Sequence, residues 1–273
     1  MICFRLLDSK DPAQPLADAV RALANEEATP DTYEVEPTSF RHIPNAPFAY
    51  WVSEKIRKLF VTLSPFESEN RTAKQGLVSA DDFRFVRSAW ETPVNQHEIT
   101  NQTWFHFAKG GSYSPFYADV FLKVNWGKLG GEIRFFGDPN GYKPSSRPQS
   151  TSYYFRPGLT WSLRTQSGLG MRIMPRGCVF GHKGPLATTD VDTLPHYLAL
   201  TTSTPFKALV ELQMAFGSYE VGVIQRTVIP EKDDLRLPDL AKHAWQNKRK
   251  PDTATLTSHA FIAPALAPRS KHI

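Results

Sequence analysis

The sequence predicts an α+β protein in which amphipathic helices flank a curved, mostly antiparallel, strand-rich middle. Three observations point there. Apolar residues recur at three- and four-residue steps towards both ends of the chain. From about residue 72 to 183 it breaks into short segments separated by Gly, Pro, Asn and Ser, and 18 of the 33 aromatic residues fall between Phe83 and Trp161. With 273 residues and 41% hydrophobic content, it can bury one large core or two modest ones.

In "DPAQPLADAVRALAN", residues 11–25, Leu16, Val20 and Leu23 share a helical stripe behind an acidic start, which predicts a short amphipathic helix docked on a neighbour. "EEATPDTYEVEPTSFRHIPNAP" carries four prolines and reads as a connector with one strand at "TYEVE". In "PFAYWVSEKIRKLF", Phe48, Trp51, Val52, Ile56, Leu59 and Phe60 recur at helical spacing and predict a second helix. The middle region offers "DFRFVRSAW", "WFHFAK", "VFLKVNW", "EIRFFG", "TWSLRT" and "RIMPRGCVF" as strands. Helix returns at "TPFKALVELQMAFG", with Thr204 as cap, Pro205 in the first turn and Gly217 as stop, Leu209, Val210, Leu212 and Met214 facing inward. "YEVGVIQRTVIP" reads as a strand, and "LPDLAKHAWQNKRK" as the last helix. Boundaries are expected near residues 30, 70 and 235, giving segments 1–30, 31–70, 71–235 and 236–273.

Cys3 and Cys178 are the only cysteines and lie far apart, which argues against a disulfide framework or a four-ligand zinc site and suits a reducing, cytoplasmic setting. No apolar run approaches the roughly 20 residues of a membrane helix, and no hydrophobic signal core follows Met1, so neither a membrane partner nor export is expected. The net charge of +5 permits a polyanionic partner, and its distribution says more. Residues 1–40 hold three Lys/Arg against eight Asp/Glu, whereas residues 71–183 hold 15 against seven.

No phosphate-binding P-loop, glycine-rich cofactor turn, Asn/Asp-Pro-Pro-aromatic box or paired-histidine zinc helix is present, and "DPNGY" at 138–142 reads as a turn. The eight histidines, at 42, 97, 106, 182, 196, 243, 259 and 272, lack ligand spacing. Asp119 and Glu132 with Lys128 offer the carboxylates and lysine of a metal-dependent nuclease, although acids flanking strands are more often solvated. In "WFHFAKGGSYSPFY", Gly110 and Gly111 behind Lys109 suit either a backbone cradle for phosphate oxygens or a tight hairpin with its lysine in water. Lys74, Gln75 and Gly76 lead towards Arg84 and Arg87, where Asp81 and Asp82 stand ready to neutralise the cations. Arg147, Arg156, Arg164 and Arg172 recur about every eight residues among Thr160, Ser162 and the aromatics Tyr153, Tyr154, Phe155 and Trp161. Nucleic-acid sites combine arginine for phosphate or guanine, glutamine for adenine and aromatics for stacking, but such aromatics are more often core residues and by themselves decide nothing.

At these residues the chain resembles a known family. "QGLVSADDFRFVRSAWE", "WFHFAKGGSYSPFY", "VNWGKLGGEIRFFG", "SRPQSTSYYFRPGLTWSLRTQSGLGMRIMPRGCVF", "TSTPFKALVELQ" and "SYEVGVIQRTVIP" follow in an order similar to the DNA-recognition half of the BREX, or phage-growth-limitation, adenine-specific DNA methyltransferases, relatives of type IIG restriction-modification enzymes. The resemblance covers about residues 30–262. It implies a phage-defence setting, double-stranded DNA as partner and S-adenosylmethionine as the cofactor of an upstream catalytic domain that methylates a flipped adenine. On this resemblance the chain corresponds to the downstream, sequence-reading part and holds no cofactor itself. The helix at 11–25 corresponds to the tail of the catalytic domain and the C-terminal stretch to an interrupted continuation, so a separate methyltransferase subunit or other defence proteins are expected partners. The implied DNA contacts are Lys74, Gln75, Gly76, Arg84, Arg87, Lys109, Gly110 and Gly111, together with Arg147, Arg156, Thr160, Ser162, Arg164 and Arg172. Two other readings stand beside it: a standalone nuclease built on Asp119 and Glu132, and an interaction module docking through helices at 46–60 and 236–250.

Overall fold

The structure, a computed structural model, describes residues 1–27, 29–93, 102–137, 145–214, 217–230 and 234–265. The chain divides into two compact units, Met1–Pro65 with Val228–Glu231, and Phe66–Thr227 with Lys232–Ile273. Both mix helices with short, mainly antiparallel strands, the α+β class that the sequence predicts.

In the first unit, β1 (Ile2–Phe4) pairs antiparallel with β2 (Thr32–Glu34), and Cys3 faces Tyr33 across the ladder. Helix α1 (Ala13–Ala24) joins them. Its stripe of Leu16, Val20 and Leu23 is exposed rather than docked, and Ala19 is its one buried residue. Helix α2 (Glu54–Thr62) is shorter than the apolar spacing from residue 47 suggests. Ser53 caps it by accepting from the Ile56 N–H at 3.4 Å, and Phe48, Tyr50 and Trp51 lie before it as a chain of ring contacts 5.2–5.4 Å apart. Aromatic packing in a loop thus imitates helical periodicity. The short strand β3 (Ser64–Pro65) pairs with Val228–Ile229.

The second unit holds two four-stranded sheets. One is built from β5 (Val86–Ser88), β6 (Trp104–Ala108), β7 (Leu122–Asn125) and β10 (Val179–Phe180) in the order β10-β6-β7-β5, with β10 parallel to β6 and the other pairs antiparallel. The other is wholly antiparallel and runs β4 (Thr72–Lys74), β11 (Leu186–Thr188), β8 (Gly158–Thr160), β9 (Arg172–Met174). Phe107, Val124, Val179 and Phe180 from the first sheet and Met174 and Leu186 from the second enter one buried cluster, with Trp126, Ile133 and Tyr154. Trp161 is fully buried just after β8, its indole N–H donating to the Tyr219 carbonyl at 2.7 Å, so this tryptophan serves the core. Both cysteines are free and buried.

Several predicted strands take other forms. "DFRFVRSAW" begins as a single helical turn, α3 (Asp82–Phe85), because Asp81 accepts from the Arg84 N–H at 3.0 Å and caps it; only Val86–Ser88 is strand. The first half of "EIRFFG" closes α4 (Gly127–Arg134), which is entered through left-handed Lys128, Leu129 and Gly130. Gly130 sits where a Cβ would lie 2.7 Å from the Trp126 ring. "TWSLRT" contributes only Thr160 to a strand, and "RIMPRGCVF" splits into β9 and β10 around a turn at Gly177. Helix α5 (Leu194–Thr202) has no counterpart in the sequence reading. It is followed by α6 (Thr204–Glu211), capped by Ser203 rather than Thr204, and packs on α8 (Leu237–Arg249), which matches its predicted span. "VGVIQR" is helix α7 (Val221–Arg226), burying Val223 and Ile224. The predicted turn at 138–142 lies outside the described residues.

Phe180 is fully buried and contributes to the shared cluster, whereas Leu256 is 78% exposed. Phe180→Ala is expected to cost about 3–5 kcal/mol in urea denaturation and Leu256→Ala less than about 0.5 kcal/mol.

Candidate nucleic-acid interface

The segment from Lys74 to Arg87 forms a spine to which other predicted residues attach. At its start, the Tyr153 ring lies between two cations, 5.7 Å from Lys74 Nζ and 5.0 Å from the Arg156 guanidinium. Lys74 also stands 3.9 Å from Glu67, and Gln75 beside it is half-buried. Gly76 has a packing reason, since a Cβ there would fall 2.1 Å from the Phe180 carbonyl oxygen. Two residues on, Val78 exchanges backbone hydrogen bonds with Arg147 at 3.0 and 2.9 Å, which fixes Arg147 beside the spine. Arg147 is exposed and its side chain has no partner among the described residues.

The acids predicted to neutralise the arginines act differently. Asp82 accepts from Lys109 and from Ser79. Burial works against the Asp82 carboxylate, but those two hydrogen bonds outweigh it and leave its pKa below the ordinary value. Arg84 pairs instead with Glu132, 2.7 and 3.0 Å from one carboxylate oxygen, and lies over the Phe85 and Phe136 rings. Arg87 donates to the Phe83 and Val86 carbonyls and covers the Phe83 and Trp104 rings.

A second set of predicted residues lies inside. Arg172, Thr160 and Ser162 are at most 4% exposed and stand away from any external duplex. One Arg172 nitrogen donates to the Gly110 carbonyl at 2.8 Å and to Ser162 Oγ at 3.3 Å, while Ser162 donates to the Gly111 carbonyl at 2.7 Å. These bonds use the carbonyls of the loop and fix its shape. Gly110 is required by packing, a Cβ there lying 2.4 Å from the Lys183 carbonyl oxygen, whereas the space around Gly111 is open. Burial lowers the Arg172 pKa to about 10. Arg164 is exposed and separate, donating to Ser218 Oγ at 2.8 Å.

Asp119 and Glu132 do not converge. Asp119 accepts from Ser258 Oγ and the His259 N–H, each at 3.0 Å, and contacts the His259 ring, whereas Glu132 is taken by Arg84 and by Asn125 at 3.0 Å. Among the described residues no group of three or more His, Cys, Asp or Glu side chains is arranged to hold a metal. His97 and His272 lie outside those residues. Sequence reasoning missed Tyr153 as a meeting point for cations. Its signal was Lys74 and Arg156, too far apart in the chain to be read together.

The comparisons with known proteins agree with the resemblance seen in the sequence. Over 228 residues the chain is 25% identical to the adenine-specific methyltransferase PglX of Lacticaseibacillus casei (strain Zhang), a match covering 80% of the chain and 19% of that protein. The chain resembles the adenine-specific methyltransferases. It is also 25% identical over 212 residues to the adenine-specific methyltransferase BrxX of Escherichia coli O9:H4 (strain HS), covering 75% of the chain and 16% of the relative. It thus spans less than a fifth of the length of either methyltransferase. No family model matches the sequence. No helix among the described residues is long and apolar enough to cross a membrane.

The hydrogen bonds to Asp82 have a defined pH signature. A carboxylate whose folded pKa is depressed stabilises the fold above its unfolded pKa of about 3.9 and loses that contribution as pH falls through the folded value. Wild type is therefore expected to melt above Asp82→Asn near neutral pH, with the gap closing progressively below about pH 4 in thermal scans. A gap that persists unchanged into stronger acid would contradict the assignment of these bonds.

Proposed function

We propose that this chain binds double-stranded DNA and supplies the target-recognition surface of an adenine-specific DNA methyltransferase in a phage-defence system. Residues 71–235 carry the recognition surface. In this reading, S-adenosylmethionine binding and methyl transfer are supplied by sequence corresponding to the remaining four-fifths of the relatives, in the same assembly or on a separate subunit.

The observation that carries the reading is the convergence of cations along one segment. Lys74 and Arg156 meet at Tyr153, Arg147 is laddered to Val78, and Arg84 and Arg87 follow on the next turn and strand. Arg147 and Arg156 are exposed with no carboxylate partner among the described residues, so phosphate binding costs them no existing ion pair. The Arg84–Glu132 pair leaves both side chains about half exposed. Such pairs contribute roughly 0–1 kcal/mol, and a phosphate can displace the carboxylate. Gln75, beside Lys74 on the spine, is the side chain placed to read a base edge, since glutamine pairs with adenine. Lys109 acts at the loop rim once released from Asp82. Arg172, Thr160 and Ser162 serve by shaping the loop rather than by touching DNA.

Gel retardation of a duplex library by the full chain at several salt concentrations tests this. Arg147→Ala with Arg156→Ala is expected to weaken binding across sequences and reduce the slope of log K against log salt by about 0.9 for each phosphate left without its arginine. Retardation by wild type and double variant with equal affinity and equal slope would refute the assignment of this face. Absence of any retardation by wild type at low salt would refute DNA binding by this chain.

A further inference from the structure

Lys128, Leu129 and Phe155 hold left-handed backbone, with φ of 51°, 56° and 67°, and all three line one cleft of about 510 Å³. They are three of the nine described non-glycine residues with positive φ, and they come from two separate segments of the chain. A residue with a side chain leaves the left-handed region unless its surroundings hold it there, and residues so held gather where ligands are gripped. Here the hold is visible. Phe155 donates its N–H to the Cys178 carbonyl at 2.8 Å and accepts from the Gly177 N–H at 3.0 Å, while the Leu129 carbonyl accepts from Arg134 Nε at 2.8 Å.

The walls of the cleft combine rings with cations. Phe105 and Phe155 are half-buried, their ring centroids 5.0 Å apart, and Trp126 lies deeper with the Arg134 guanidinium 5.0 Å from its ring. The Gln102 side-chain amide donates to the Trp104 carbonyl at 2.8 Å, which fixes its plane as a polar edge on the wall. Lys128 and Arg176 are exposed, and neither has a hydrogen-bond or ion-pair partner among the described residues. No carboxylate is among the described residues of the wall. An aliphatic occupant would leave the two cations unanswered, and a bare anion would leave the rings wet. A planar ring that carries an anionic group answers both, because aromatic faces stack on it and the cations meet its charge. A nucleotide has this form, and the volume lies within the range of sites that enclose small ligands.

We propose that this cleft binds a single nucleotide, its base laid against Phe105 and Phe155 and its phosphate held by Lys128 and Arg176. A free nucleoside monophosphate and an unpaired nucleotide in a DNA strand offer the same chemistry. The cleft shares no residue with the surface assigned above to duplex DNA, so it stands or falls independently of that reading.

Calorimetric titration of the full chain with AMP, adenosine and inorganic phosphate, with no duplex present, tests the proposal. AMP is expected to bind saturably with a Kd below about 1 mM, and adenosine and phosphate each at least about tenfold more weakly. Asparagine tolerates left-handed backbone, so Lys128→Asn combined with Arg176→Gln is expected to fold as wild type does while lowering AMP to the affinity of adenosine. Phe155→Leu is expected to weaken AMP and adenosine alike, by about tenfold. Displacement of bound AMP by a single-stranded oligonucleotide assigns the site to an unpaired nucleotide of a strand, and retention of AMP assigns it to the free nucleotide. No saturable AMP binding by wild type, equal affinity for AMP and adenosine, or undiminished AMP affinity in the folded double variant would each overturn the proposal.

Discussion

The guanidinium of Arg172 is the constraint around which the second unit is arranged. It is buried on β9, and one of its nitrogens reaches the Gly110 carbonyl and the Ser162 hydroxyl, which in turn holds the Gly111 carbonyl. Three segments that lie 10 to 62 residues apart in the chain are tied by one planar cation. A buried cation of this kind is costly to desolvate, and the surrounding backbone is held to the geometry that satisfies one of its nitrogens. The 109–111 loop thereby acquires a fixed shape, and Lys109 a fixed starting point from which to reach Asp82.

From that loop the electrostatics of the surface follow. Lys109 ties it to α3 through Asp82, Arg84 ties α3 to α4 through Glu132, and the Val78–Arg147 ladder closes the other side. Some of the positive charge in the middle of the chain is therefore consumed in joining elements. Arg147, laddered to Val78, and Arg156, over the Tyr153 ring, are exposed with no carboxylate partner among the described residues. A protein that must hold a polyanion needs both classes of cation: paired ones that fix the framework and unpaired ones that neutralise phosphates.

How much of this was legible in the sequence depended on range. β6 and β7 announce themselves as short runs rich in aromatic and branched apolar residues, and α8 because its proline start and basic end mark it locally. Residues 132–134 and 221–226 read as strand in the sequence and are helical: their β-branched residues favour sheet, but tertiary packing of Ile133, Val223 and Ile224 overrides the preference. The candidate site was legible as a set of residue types and not as an arrangement. Arg84 finds Glu132 across 48 residues, Lys109 finds Asp82 across 27, and Asp119 finds His259 across 140. No local pattern encodes those partners. Equal spacing of Arg147, Arg156, Arg164 and Arg172 suggested a common face, yet one is buried, one is paired with Ser218, and only Arg147 and Arg156 reach the spine. The glycines likewise mark close backbone approaches: Gly76 against Phe180 and Gly110 against Lys183.

The central claim is that duplex DNA lies along the segment from Lys74 to Arg87. Amide hydrogen exchange of the full chain, measured by mass spectrometry with and without saturating duplex, tests it most directly. Slowed exchange is expected in peptides covering 74–87 and 145–156, with α1 and α8 unchanged. Protection confined to other segments, with 74–87 exchanging at its free rate, would contradict it.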